Sequence, residues 1–144
     1  EGRHAVWDVP CFAVFPCATQ NELNEADAKA LIANGCKCVC EGANMPSTLE
    51  AIKLYQKNGV FYGPAKAANA GGVSVSQLEM AQNAGMVHWT FEEVDGRLKG
   101  IMKNIYTRAS ETAKEYGEPD NLLMGANVSA FCEVADAMIA QGDY

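Results

Sequence analysis

The feature that most constrains this chain is an order of short pieces repeated through its first half: apolar run, small-residue turn, capped helix, apolar run again. Val9 to Phe15 is apolar, interrupted by Pro10 and ended by Pro16, short enough for a buried strand and too short for a helix. A polar turn from Cys17 to Asn21 follows. Asn24 to Gly35 then reads as a helix, with Asn24 placed to cap its start and Gly35 to take its left-handed exit. Cys36 to Glu41 is the second strand and Gly42 to Pro46 its turn. Ser47 and Glu50 form a capping box that opens a helix from Thr48 to Lys57, with Asn58-Gly59 as its stop. Val60 to Tyr62 is a third, very short strand. Strands alternating with helices in this way predict a parallel sheet with crossover helices, hence the α/β class.

After Gly85 the pattern is helical only. Thr90 with Glu93 is a capping box, and Phe91, Val94, Leu98, Ile101, Ile105, Ala109, Ala113 and Tyr116 recur at three and four residues as an apolar stripe. Gly117-Glu118-Pro119-Asp120 breaks that helix. A last one, from about Leu122 to Gln141, is expected to bury Phe131, Val134, Ala135, Met138 and Ile139.

Between the two halves, Lys66 to Glu79 is rich in small residues, with paired glycines at Gly71 and Gly72 and short polar groups on Asn69, Ser74 and Ser76. It reads as a loop running into a helix N-terminus, where unpaired N–H groups face an anion. The alternative is a glycine-softened turn whose serines cap the helix, since Ser74 with Gln77 and Ser76 with Glu79 both fit the capping-box frame. Three turns thus follow strand ends: Cys17 to Asn21, Gly42 to Pro46 and Gly63 to Gly72. In open parallel sheets a ligand sits outside the carboxyl ends of the strands, so all three are expected to line one crevice. Their amides, hydroxyls and backbone suit hydrogen bonding to ribose, carboxamide and phosphate oxygens. They do not suit acid–base chemistry, which wants a carboxylate, histidine or lysine of tuned pKa.

A net charge of −7 argues against nucleic acid and anionic membrane as partners, because both need clustered Lys and Arg. Glu1-Gly2-Arg3-His4 lacks the layout of a signal peptide, and no uncharged run approaches the ~20 residues needed to span a bilayer. The expectation is a soluble, cytoplasmic protein. Its six cysteines are read as reduced thiols. Cys36, Cys38 and Cys40 alternate, but three thiolates along a strand close poorly into a tetrahedron, and His4 and His88 are the only histidines, so no metal is expected. Trp89 is read as an aromatic staple against the helix that Thr90 caps. Lys66 is read as structural or phosphate-facing.

Three segments carry a resemblance: Cys17-Ala18-Thr19-Gln20-Asn21-Glu22-Leu23, Glu41-Gly42-Ala43-Asn44-Met45-Pro46-Ser47-Thr48 and Lys66-Ala67-Ala68-Asn69-Ala70-Gly71-Gly72-Val73. With Leu78 to Asn83, Trp89-Thr90, Glu93-Val94-Asp95, Gly125-Ala126-Asn127 and Val134 to Met138, they make the chain similar, over nearly its whole length, to the bacterial hexameric type of glutamate dehydrogenase. The resemblance implies a partial Rossmann-like nucleotide-binding domain with parallel strands, followed by long C-terminal helices. Residues 1–85 would be the second half of that domain. Residues 86–144 would pack on it and on an N-terminal domain that lies outside this chain and supplies the catalytic lysine and acid.

By the same resemblance no residue here is catalytic. Ala18 and Thr19 would lie near the cofactor ribose, Asn44 and Asn69 near the nicotinamide, and Val73 and Ser76 against glutamate, with Ser76 donating to its side-chain carboxylate. The asparagines also read as turn formers that bond their own backbone. No G-x-G-x-x-G/A fingerprint occurs, so the pyrophosphate turn is absent and the chain alone is expected to be inactive. The implied reaction is reversible oxidative deamination of L-glutamate to 2-oxoglutarate and ammonia by a homohexamer using NADP, with NAD as the alternative. The rival expectation is a non-enzymatic assembly or regulatory module that keeps only the dehydrogenase fold.

Overall fold

Runs as short as these hold as strands only when paired, and the computed structural model, which describes residues 5–142, contains that pairing. β1 (Ala13–Val14), β2 (Cys38–Cys40) and β3 (Phe61–Gly63) form one parallel sheet in the order β1-β2-β3. Val39 lies opposite Val14 on one side and Tyr62 on the other. The crossovers are α1 (Glu25–Ala33) and α2 (Leu49–Lys57), and Leu31, Val39, Ala51 and Tyr55 are buried in the core between sheet and helices. The expected α/β architecture with parallel strands is therefore present. The readings made on Glu1 to His4 fall outside the described residues.

Several local expectations need correction. Of Val9 to Phe15 only Ala13 and Val14 are strand, because Pro10 and Pro16 remove donors on either side; Phe12 and Phe15 are exposed. A 3₁₀ turn, Ala5–Asp8, precedes it and buries Trp7. Asn24 caps α1 as expected, in a box closed by Asp27, and Gly35 exits at φ 83°. Ser47, however, does not cap α2. It lies opposite Leu23 in a parallel bridge with its N–H on Glu41, and the N-cap falls to the next residue, Thr48, whose hydroxyl takes the Ala51 N–H.

The small-residue stretch is not a loop. α3 (Ala65–Ala68) and α4 (Ala70–Gly85) are separated by Asn69 alone. The alanines favour helix strongly enough to carry Gly71 and Gly72 inside it. Ser74 and Ser76 therefore sit within α4 and donate to the carbonyls four residues back, of Ala70 at 2.7 Å and Gly72 at 3.3 Å, instead of capping.

α5 (Phe91–Glu115) begins at the expected Thr90–Glu93 capping box, and α6 (Leu122–Gln141) runs beside it. Ala109 and Ala113 are buried at the crossing, while Phe91 and Tyr116, expected on the buried stripe, are exposed. Trp89 meets the Arg97 guanidinium 4.1 Å from its ring centroid, a cation–π contact where an apolar staple was expected. α6 departs further from expectation. Only Ala135 of its five anticipated core residues is half-buried; Phe131, Val134, Met138 and Ile139 are 60–78% exposed. Among the described residues α6 is the one helix long and apolar enough to cross a membrane, and it carries Glu133 and Asp136.

The two long helices approach each other through Gly125, where an added Cβ would stand 2.0 Å from the Ala109 carbonyl oxygen. Gly125→Ala is expected to destabilise the fold by about 1–3 kcal/mol through overpacking against immobile backbone. Gly100→Ala, in open space on α5, should stabilise by about 0.5–1 kcal/mol. Urea unfolding followed by circular dichroism measures both, and equal effects would contradict the packing account.

Candidate functional site at the carboxyl ends of the strands

Beyond β1 and β2 the chain continues as two turns that are laced together by their backbones. Gly42 and Ala43 N–H both donate to the Pro16 carbonyl at 3.0 Å, Asn21 N–H to Met45 O at 2.9 Å, Leu23 N–H to Pro46 O at 2.9 Å, and Thr48 N–H returns to Leu23 O at 2.9 Å. At Gly42 an added Cβ would lie 2.5 Å from Cys17 Sγ, so a larger residue there would turn the exposed Cys17 side chain aside. Asn21 and Met45, which share one of these bonds, both adopt left-handed backbone, φ 54° and 48°. For Met45 that conformation is costly and persists only where surrounding bonds over-determine it.

The third segment joins through side chains. Asn69, the joint between α3 and α4, donates its Nδ2 to Asn44 Oδ1 at 2.8 Å and to Ala43 O at 3.3 Å. Lys66 donates to the Asn127 side-chain oxygen, tying α3 to α6. A cleft of about 960 Å³ has Gln20, Asn21, Glu41, Asn44, Lys66 and Asn127 in its polar lining; of the expected site residues Asn44 lines it, and Ala18, Thr19, Asn69, Val73 and Ser76 do not. The three turns expected to share a crevice are thus in bonded contact. Ala18 and Thr19 are exposed on the first turn, where the Ala18 N–H is held by Glu22 Oε1 at 3.0 Å. Val73 and Ser76 are exposed on α4, one turn and two turns beyond the joint.

One residue that sequence reasoning passed over anchors the floor of the cleft. Glu41 is 1% exposed, and it accepts from the Tyr62 hydroxyl, the Ala65 N–H and the Ser47 N–H. Burial, reinforced by this bond to Glu41, pushes the Tyr62 phenol well above its ordinary value. Tyr55 behind it, stacked with its ring 6.0 Å away, is pushed up to about 12, again by burial first. The sequence signal was a carboxylate ending an apolar strand just before a glycine.

The family model for glutamate/leucine/phenylalanine/valine dehydrogenase matches residues 1–142. This chain belongs to that family. Among its relatives, the NADP-specific glutamate dehydrogenase of Helicobacter pylori strain 26695 is 62% identical over 142 residues, which are 99% of this chain and 32% of the relative. The Escherichia coli K12 enzyme of the same name is 54% identical over 99% of this chain and 31% of its own length. The crystal structure of Plasmodium falciparum glutamate dehydrogenase superimposes with a TM-score of 0.93 at 52% identity, over 96% of this chain and 30% of that one. The chain therefore spans about a third of the dehydrogenases it matches, and its fold is theirs.

The cysteines near the site differ in how they should react. Burial raises the pKa of Cys36, Cys38 and Cys40, whereas Cys17 is exposed on the first turn. Because the thiolate is the nucleophile, brief iodoacetamide treatment at neutral pH should alkylate Cys17 first and spare these three until denaturant is added. Peptide mapping by mass spectrometry reads the order, and early labelling of Cys36 would contradict it.

Proposed function

We propose that the intact protein is a glutamate dehydrogenase using NADP, and that this chain is its C-terminal portion, carrying the nicotinamide end of the cofactor site and part of the glutamate site. The observation that carries the reading is the 2.8 Å bond from Asn69 to Asn44, a residue that lines the cleft. It uses Nδ2 of one amide and Oδ1 of the other, leaving Asn44 Nδ2 as a donor and Asn69 Oδ1 as an acceptor. A nicotinamide carboxamide presents the complementary acceptor and donor, so the donor set fits. NADP bound there supplies the hydride acceptor. The two asparagines orient the ring, on which transfer between two carbon atoms depends.

On this reading Ala18 and Thr19 face the ribose. Val73 and Ser76 face glutamate, the serine giving up its long 3.3 Å bond to Gly72 to donate to the substrate's side-chain carboxylate. Residues 1–85 act as the second half of the nucleotide-binding domain. Residues 86–144 bridge to an N-terminal domain that supplies the catalytic lysine and acid, with the exposed apolar face of α6 as the natural seat for it. The chain by itself is inactive, and the whole works as a cytoplasmic homohexamer. The names of the relatives favour NADP over NAD.

Two measurements test this. In the full-length enzyme Ser76→Ala should lower kcat/KM for glutamate relative to norvaline by about 10–100-fold, the worth of one charge-assisted hydrogen bond. An unchanged ratio removes Ser76 from the substrate site. Titrating NADPH fluorescence should give binding to the full-length protein and none to residues 1–144 alone. Equal binding to both would overturn the division of labour between the two parts.

A further inference from the structure

Glu41 follows directly on β2 and is almost fully buried, which a carboxylate tolerates only when donors surround it. Three do, each from a different element. Oε1 takes the Ser47 N–H at 3.2 Å, at the far end of the turn that carries Asn44. Oε2 takes the Tyr62 O–H at 2.7 Å from β3 and the Ala65 N–H at 3.1 Å from the first residue of α3. Pro64, the N-cap of α3, makes no side-chain cap bond, so Glu41 supplies the acceptor that this helix start otherwise lacks.

These contacts close a ring. From Glu41 the ring passes to Ser47, back along the turn to Asn44, across the amide–amide bond to Asn69, and down one helical turn to Ala65, whose carbonyl accepts the Asn69 N–H at 2.9 Å. It closes where the Ala65 N–H returns to Glu41. The two asparagines are held at the top of the ring, and the carboxylate holds both of their segments at the bottom. Only a group with an acceptor oxygen facing each side can do this.

We infer that Glu41 is a positioning residue for the cofactor, setting the separation of Asn44 and Asn69 through its two oxygens without touching the cofactor itself. The inference rests on the assignment of those asparagines to the nicotinamide. A glutamine at this position is nearly isosteric, but its amide nitrogen must face either the Ser47 N–H or the Ala65 N–H, donor against donor. One segment then loses its anchor while the volume of the site is kept.

The test uses the full-length enzyme, with Kd for NADPH from fluorescence titration and KM for glutamate from initial rates. Glu41→Gln should raise Kd for NADPH by about tenfold and leave KM for glutamate within about twofold. Tyr62→Phe, which removes one donor and keeps both backbone anchors, should raise Kd by about threefold. Asn44→Ala is measured beside them. If it raises Kd while Glu41→Gln leaves Kd unchanged, or lowers kcat alone as a smaller folded fraction would, the positioning role is overturned and the cofactor site stands. If Asn44→Ala leaves Kd unchanged, the site assignment fails and takes this inference with it. Should Glu41→Gln not fold, Tyr62→Phe decides: a raised Kd with glutamate KM unaffected upholds the role, and an unchanged Kd overturns it.

Discussion

The backbone seam between the turns after β1 and β2 is what the rest of this structure depends on. Parallel strands of two and three residues offer few ladder bonds, and the seam adds five more beyond the sheet, from Pro16 to Thr48. It extends the pairing of β1 with β2 past the point where both have stopped being strands. It also decides where α1 and α2 begin, because Leu23 and Ser47 are bridged immediately before their caps, Asn24 and Thr48. The left-handed backbone at Asn21 and Met45 is the local cost of holding the two turns in step.

With that seam in place, the third segment can be added by side chains alone. Asn69 interrupts what would otherwise be one continuous helix from Ala65 to Gly85, and its amide reaches across to Asn44 and Ala43. Glu41 holds the same segments from the other side, with Tyr62 and Tyr55 stacked behind it, where burial raises both phenols. Glu41 and the Tyr62 hydroxyl are tolerated at this depth because they are bonded to one another and Glu41 takes two backbone N–H groups besides, whereas the Tyr55 and Ser47 hydroxyls are buried without a hydrogen-bond partner among the described residues.

The last two helices obey a different constraint. Gly125 lets α6 press against the backbone of α5, and Ala109 and Ala113 complete a close contact made of small residues. Beyond that contact α6 runs on with Phe131, Val134, Met138 and Ile139 uncovered. The chain spans about a third of the length of its relatives, and among the described residues this apolar face of α6 is left uncovered.

How much was legible follows from the range of each interaction. The α/β order, the Asn24 and Thr90 caps and the exit at Gly35 depend on residues within a turn of one another, so the sequence by itself determined them. The bonded approach of the Asn44 turn to Asn69 could be anticipated from strand order, because parallel strands bring their carboxyl ends together. What only the tertiary structure decided were outcomes of competition between local and distant partners. Ser47, bridged to Leu23 and bonded to Glu41, left the cap to Thr48, and Ser74 and Ser76 were absorbed into a helix that alanine propensity carried through two glycines. The apolar stripe of α6 looked like core because periodicity reports that a face is apolar and says nothing of whether its partner is in the same stretch of chain. Glu41 was invisible for a related reason: three donors at six, 21 and 24 residues' remove converge on it only once the sheet has formed.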